Sequence, residues 1–196
     1  MIRRHWILVL LLTIACGSGC GLSTERIQIN YLPQEGPARI KGAEGTRVRV
    51  EVSDLRSKKA EVSKKGDEYE MLAPILADND IAETLKQAIE GELKRRGFEG
   101  ERSEVIVQVE LSKFYNRFRA SNSEAELFMH VQVRKPGATE TLLFSSIVRG
   151  EGIESGVALR SGANAKKALE AALRDGVEKL MADVRFTDAL LAAGKR

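Results

Sequence analysis

Cysteine is almost missing from the chain. Its 196 residues include two, Cys16 and Cys20, both close to the start, so the body that follows has no thiolate to offer a metal. Histidine is as scarce. His5 and His130 are the whole supply, which leaves a single imidazole for any metal centre or Ser-His-acid relay beyond the first twenty residues. No G-x-S-x-G stretch occurs. Aromatic residues make up 5% of the chain, too few for a platform on which nucleotide bases stack. An excess of one charge is lacking too: Lys and Arg number 31 against 28 Asp and Glu, without the positive field that a nucleic-acid partner requires. The apolar run Trp6 to Ala15 is about half of the ~20 residues that cross a bilayer as a helix.

That short run sits where a secretion leader sits. Arg3 and Arg4 precede it, and Gly17, Ser18 and Gly19 follow with the small side chains that a signal peptidase accepts. Cys20 comes next. Charged start, short apolar run, small residues and cysteine together resemble a bacterial lipoprotein signal, in which the cysteine is diacylated on sulfur, becomes the new N-terminus and is acylated again. Cys20 is the expected attachment residue and Cys16 the alternative. Cleavage before Cys16 would leave Cys20 as an unpaired thiol in an oxidising compartment; against Cys20, Gly17 stands three residues before it, where such signals usually carry leucine. Acyl chains contribute ~0.8 kcal/mol per buried methylene, so two or three of them anchor a protein durably.

The remaining chain divides into a tether at 20–45, with one short edge strand over Arg26 to Leu32 ended by Pro33, and a single domain at 46–196. Val48, Val50 and Val52 alternate with Arg47, Arg49 and Glu51, the period of a half-buried strand. The charged stretch from Ser57 to Met71 reads as an exposed hairpin or loop closed by Pro74. Asp80 and Glu83 form a D-x-x-E capping box, and Ile81, Leu85, Ile89 and Leu93 repeat every fourth residue up to Gly97, which predicts a helix. Three more strands follow, around Val105 to Leu111, Leu127 to Val133 and Leu142 to Val148. Ser161 then opens a long helix with Ala165, Leu169, Leu173, Val177, Leu180 and Val184 on one face, and Thr187 caps a short final one. Strands in runs joined by short turns favour an α+β fold: an antiparallel sheet with two main helices packed on one face, a two-layer sandwich.

Chemistry-bearing motifs are few. His130 lies on the strand face opposite Met129 and Val131 and reads as solvated. The carboxylates of Asp78 and Asp80 lack the glycine and late glutamate of a calcium loop, and helix capping accounts for them. The run GEGIESG, Gly150 to Gly156, resembles a phosphate-cradling turn, but flexibility of a loop is the better account of its glycines. Glu124 and Glu126 share a strand face as solubility charges. One stretch changes parity: beyond Leu111, Phe114 and Phe118 move to the opposite face while Lys113, Tyr115 and Arg117 take the inner one. A bulge, or a strand projecting past the sheet, produces such a swap. Phe114, Tyr115, Arg117 and Phe118 are therefore a candidate interaction rim for a protein, glycan or anionic lipid, unless the rings cover the sheet's far side or the tether. No catalytic residue, metal ligand or cofactor is expected.

Beyond the leader, the chain resembles the YajG-like bacterial lipoproteins. The resemblance rests on VSDLR with Asp54 and Arg56, on NDIAETLKQAIEGELKRRGF, VQVELSKFYNRF and FSSIVRGEGIES, on the closing FTDAL, and on the spacing from Cys20 to IQINYLP, which fits better than that from Cys16. It implies a lipid-anchored envelope protein of a Gram-negative bacterium, facing the periplasm from the outer membrane, without established enzymatic activity. Gly21 after the cysteine, where aspartate would signal retention, fits that location. The expected function is a non-enzymatic accessory or scaffold of an envelope complex, bound to the membrane through acyl chains such as palmitate and to an envelope protein partner. The alternative is an auxiliary lipoprotein of a lipid or lipopolysaccharide trafficking system.

Overall fold

The structure is a computed structural model, and it describes residues 23–33, 36, 39–65, 73–99, 104–137 and 141–194. Cys16, Cys20 and the leader lie outside them. Among the described residues seven strands form one sheet: β1 (Glu25–Ile27), β2 (Arg47–Asp54), β3 (Glu61–Lys64), β4 (Pro74–Ala77), β5 (Glu104–Arg119), β6 (Asn122–Lys135) and β7 (Thr141–Ser155). Three α-helices accompany it among the described residues: α1 (Ile81–Arg95), α2 (Gly162–Ala182) and α3 (Val184–Gly194).

The sheet is mixed, which corrects the antiparallel expectation. Its order is β1-β4-β3-β5-β6-β7, with β2 also on β5. β1 with β4, β2 with β5 and β3 with β5 run parallel; only β3 with β4 and the meander β5-β6-β7 run antiparallel. Residue alternation is the same in both senses. The sense is set by the connection, and α1 between β2 and β5 supplies a crossover long enough for parallel pairing. Nor do the helices form a clear pair on one face: three are present among the described residues, with α1 on β2, α2 on β6 and β7, and α3 touching β5, β6 and β7. One hydrophobic core joins all of them.

β5 explains why the first half of the chain has two places to pair. Along its first half it takes β2, from Arg47 opposite Glu104 to Asp54 opposite Leu111. Its second half takes β3, with Ser63 opposite Asn116. Between the two, Arg56 turns back into the gap. Its guanidinium pairs with Asp54 at 2.7 Å and donates to the carbonyls of Phe114 at 3.3 Å and Lys59 at 2.8 Å. A carbonyl that the interrupted ladder would leave bare is thereby satisfied. The charged stretch read as an exposed hairpin or loop contains β3, whose Val62 and Ser63 are fully buried.

Two features of the meander position the surface. Leu111 pairs with Met129 and Lys113 with Phe128, so Ser112 is an extra residue in β5. This bulge shifts the inward set from Val105, Val107, Val109 and Leu111 to Phe114, Asn116 and Phe118. The second feature is the seating of α2 on β7. Gly150 and Gly152 are inside β7, not in a loop, and a Cβ on Gly152 would stand 2.0 Å from the carbonyl oxygen of Ala168. The glycines let helix and strand backbones touch. α2 ends at Ala182, and Asp183 caps α3 by accepting from the Arg185 N–H at 2.9 Å. Val184 is consequently exposed, and Thr187 lies inside α3 instead of capping it.

Candidate functional site

The residues nearest the expected anchor are bound into the body. The Lys65 ammonium, almost wholly buried, donates to the Ser23 carbonyl at 2.9 Å and pairs with Glu25 at 2.7 Å. The Gly162 N–H, at the start of α2, donates to the same carboxylate. Burial pushes the Glu25 carboxyl up, but the Lys65 and Gly162 hydrogen bonds outweigh it and hold it below the ordinary glutamate range. Further along, Asn79 brackets Ile29, accepting from its N–H and donating to its carbonyl, both at 2.9 Å. Tyr31 donates to Glu92 at 2.7 Å. Glu92 is buried on α1, and although burial raises its pKa, bonds from Tyr31, Arg96 and Arg95 bring the net shift down. Ser23, Glu25, Ile29 and Tyr31, all within the segment expected as a tether, are thus bonded to the body of the fold.

The four residues of the expected rim separate. Phe114 and Phe118 are 1% and 5% exposed and belong to the core. The Ser112 bulge returns them to the inner face, so neither ring is available to a partner. Tyr115 and Arg117 stay on the outer face of the sheet, where Tyr115 is half-buried and Arg117 exposed. The aromatic on that face between Lys113 and Arg149 is Phe128, which no sequence motif marks. Lys113 and Arg149 lie over its ring at 5.3 and 5.2 Å, and both cations pair with Glu126. An alternating pattern alone does not separate this half-covered ring from a core one.

His130 stands beside this cluster with partners on both neighbouring strands. Its Nε2 is 2.8 Å from Ser145 Oγ and its Nδ1 3.4 Å from Glu110. These are the residue types of an acyl-transfer relay. The Glu110 carboxylate, however, is 55% exposed and at a long distance, and the row lies on an open sheet face instead of in a cleft that excludes water. As it stands, it is a cross-strand polar ladder. Asp80 caps α1 by accepting from the N–H groups of Ala82 and Glu83, and Asp78 pairs with Arg26 at 3.1 Å. Both line an open cleft of about 580 Å³ between β2 and α1. Among the described residues, no three His, Cys, Asp or Glu side chains are placed to hold a metal ion, and no helix is long and apolar enough to cross a membrane.

The outer edge of the sheet is β7, and α2 reaches over part of it. Asp175 accepts from the Glu151 N–H at 2.8 Å, and Lys179 donates to the Arg149 carbonyl at 3.2 Å while pairing with Asp175 at 2.7 Å. Side chains thereby occupy ladder groups that a further strand would otherwise use. On the outer face of the same strand, Leu142, Ile147 and Ile153 are 50%, 74% and 63% exposed.

The family model described as uncharacterized lipoprotein matches residues 33–190. The chain therefore belongs to that family, the YajG-like lipoproteins. No curated protein matches it in sequence. Among solved structures, the protein XCC0632 of Xanthomonas campestris superposes with a TM-score of 0.56 at 8% identity, covering 87% of this chain and 96% of its own. That likeness is one of fold. The protein CT253 of Chlamydia trachomatis matches at a TM-score of 0.39 and 11% identity over 72% of this chain and 96% of its own.

Proposed function

We propose that this lipoprotein is acylated at Cys20, faces the periplasm from the outer membrane, and works without catalysis as an accessory that docks on an envelope protein complex. The observation that carries the docking role is β7: a fifteen-residue edge strand with three exposed aliphatic side chains, Leu142, Ile147 and Ile153, on its outer flank. Aliphatic groups of that size exposed on a largely polar sheet face gain from being covered by a partner, at about 25 cal/mol per Å² of apolar surface removed from water. The family match supports the anchoring half of the reading, because the family is described as one of lipoproteins.

A photo-crosslinking residue at Ile147, irradiated in intact cells, tests the docking role. A discrete protein adduct is expected there, and a weaker one or none from Leu32, which is also exposed. Adducts with phospholipid or lipopolysaccharide in place of protein would overturn docking in favour of lipid handling. For the anchor, Cys20→Ala is expected to release the folded protein from carbonate-washed membranes. Retention of that variant, with release of Cys16→Ala, would move the attachment to Cys16.

A further inference from the structure

The end of the body that meets the membrane follows from the chain between Cys20 and Ser23. Those three steps reach about 10 Å at the ~3.3–3.6 Å per residue of a fully extended chain, and the Ser23 carbonyl is fixed on Lys65. Lys65 directly follows β3, at the end of the sheet where β5 turns into β6. β7 ends there and α2 begins there. The loop between them, residues 156–161, is pinned on three sides: the Val157 N–H donates to the Ser121 carbonyl at 2.8 Å, Asn164 Nδ2 donates to the Leu159 carbonyl at 2.9 Å, and the Gly162 N–H is held by Glu25. Its backbone is fixed. Its Leu159 side chain nevertheless stands 75% exposed, the most open of the large aliphatic residues described.

The same end of the body presents cations. Arg160 is the next residue and is exposed. The side chains of Arg119, Lys167 and Lys64 are 65%, 62% and 45% exposed. Carboxylates are present too, with Glu124 3.7 Å from Arg119, Glu154 2.8 Å from Lys167 and Glu61 3.7 Å from Lys64.

We infer that the loop 156–161 seats on the bilayer that holds the anchor, Leu159 entering the headgroup layer while Arg160, Arg119 and Lys64 meet lipid phosphates. This rests on the lipid attachment proposed above and adds a second, non-covalent contact to it. An exposed apolar side chain on a pinned loop, at an end of the sheet that also carries long cations able to keep their charge in the headgroup layer, is the chemistry of interfacial insertion. The contact gives the body an orientation. β7 has fifteen residues, or ~50 Å at ~3.3 Å per residue, so its far end, with Leu142, would stand well clear of the lipid.

Residues 20–196 contain one cysteine, Cys20, and no tryptophan, which permits a test independent of cellular processing. That chain is coupled through Cys20 to a maleimide phospholipid in phosphatidylcholine–phosphatidylglycerol vesicles with brominated acyl chains. Leu159→Trp and Leu142→Trp are compared; both positions are exposed, so both variants fold. Bromolipid is expected to quench Leu159→Trp at least threefold more strongly than Leu142→Trp. Equal quenching, or none at position 159, overturns the inference. Incorporation of labelled palmitate at Cys20 in cells is read separately, so a failure of the lipid attachment and a failure of the docking appear in different measurements.

Discussion

Replacing Gly152 with alanine adds one methyl group at the closest approach of α2 to β7. The new carbon would lie 2.0 Å from the Ala168 carbonyl oxygen, 2.5 Å from the Ala172 nitrogen and 2.9 Å from the Ala171 Cβ. Two of these three are main-chain atoms of one helix. No rotamer change relieves them, so α2 must retreat by roughly 1 Å, and a gap of that size forfeits about a quarter to a half of each van der Waals contact it opens. Ala168, Leu169, Ala172 and Leu173, all fully buried, lose their seating on the sheet together. Overpacking costs ~1–3 kcal/mol in general, and with a helix backbone as the obstacle about 3 kcal/mol is expected. At ~2–4 °C per kcal/mol for a domain of this size, that is a drop of about 6–12 °C in Tm. The assay is thermal and urea denaturation of a Cys20→Ser chain followed by circular dichroism. Gly91→Ala is the internal control, because Gly91 lies within α1 with nothing within 4 Å of the added carbon. It should gain ~0.5–1 kcal/mol from helix propensity. The same substitution at two glycines thus carries opposite signs. A Gly152→Ala protein within 0.5 kcal/mol of its parent would refute the close-packing argument.

Acid should destabilise the fold through Glu25, Asp54 and Glu92. For each, burial raises the pKa but hydrogen bonds from Lys65, Arg56, or Tyr31 with Arg96 and Arg95 more than compensate, leaving it below the ordinary value. The unfolded chain therefore binds these protons at higher pH than the folded one. Their stabilisation is complete above the unfolded glutamate value of about 4.5 and falls as pH drops from there through the folded values, read as a urea midpoint that these groups leave level near pH 6 and lower below about pH 4.5, a fall that flattens in Glu92→Gln. Ala120→Gly should stabilise by about 1 kcal/mol, because Ala120 holds the β5–β6 turn at φ 49°, a left-handed conformation that costs an L-residue about that much; a thermal melt checks it. Asp175→Ala strips the Glu151 N–H of its acceptor, at ~1 kcal/mol, and opens the β7 edge, so sedimentation should detect self-association that the parent lacks.

What the residues disclosed was local, and what they concealed was long-range. The α1 stripe of Ile81, Leu85, Ile89 and Leu93 is wholly buried, and Asp80 and Ser161 cap the helices they were expected to open. Fourfold periodicity and capping chemistry are written within one element, and nothing distant overrides them here. The Glu83 half of the capping box turns elsewhere, to Gln87 at 2.9 Å. The parity change after Leu111 was visible as a fault in alternation, and one extra residue, Ser112, accounts for it. Whether that fault brought Phe114 and Phe118 to a rim or back to the core depended on counting inward positions across β6, which alternation in one strand does not reveal. Gly150 and Gly152 misled for a related reason. A glycine required by a helix backbone on the other side of the sheet looks, along the chain, like one required by a loop. Ser145 and Glu110 carry no local signal of proximity to His130, since their meeting depends on the register of three strands.

The parallel pairing of β2 with β5 has a consequence for how the chain comes into being. A ribosome or an export channel delivers residues from the amino end, so β1 to α1 emerge while the strand that most of them lean on has yet to be made. β2 has no sheet neighbour among the described residues except β5, and pairings this distant in sequence form late. The first hundred or so residues must therefore wait, with Val48, Val50 and Val62 in water, for the meander to arrive, and a fragment truncated after Arg95 should aggregate instead of folding.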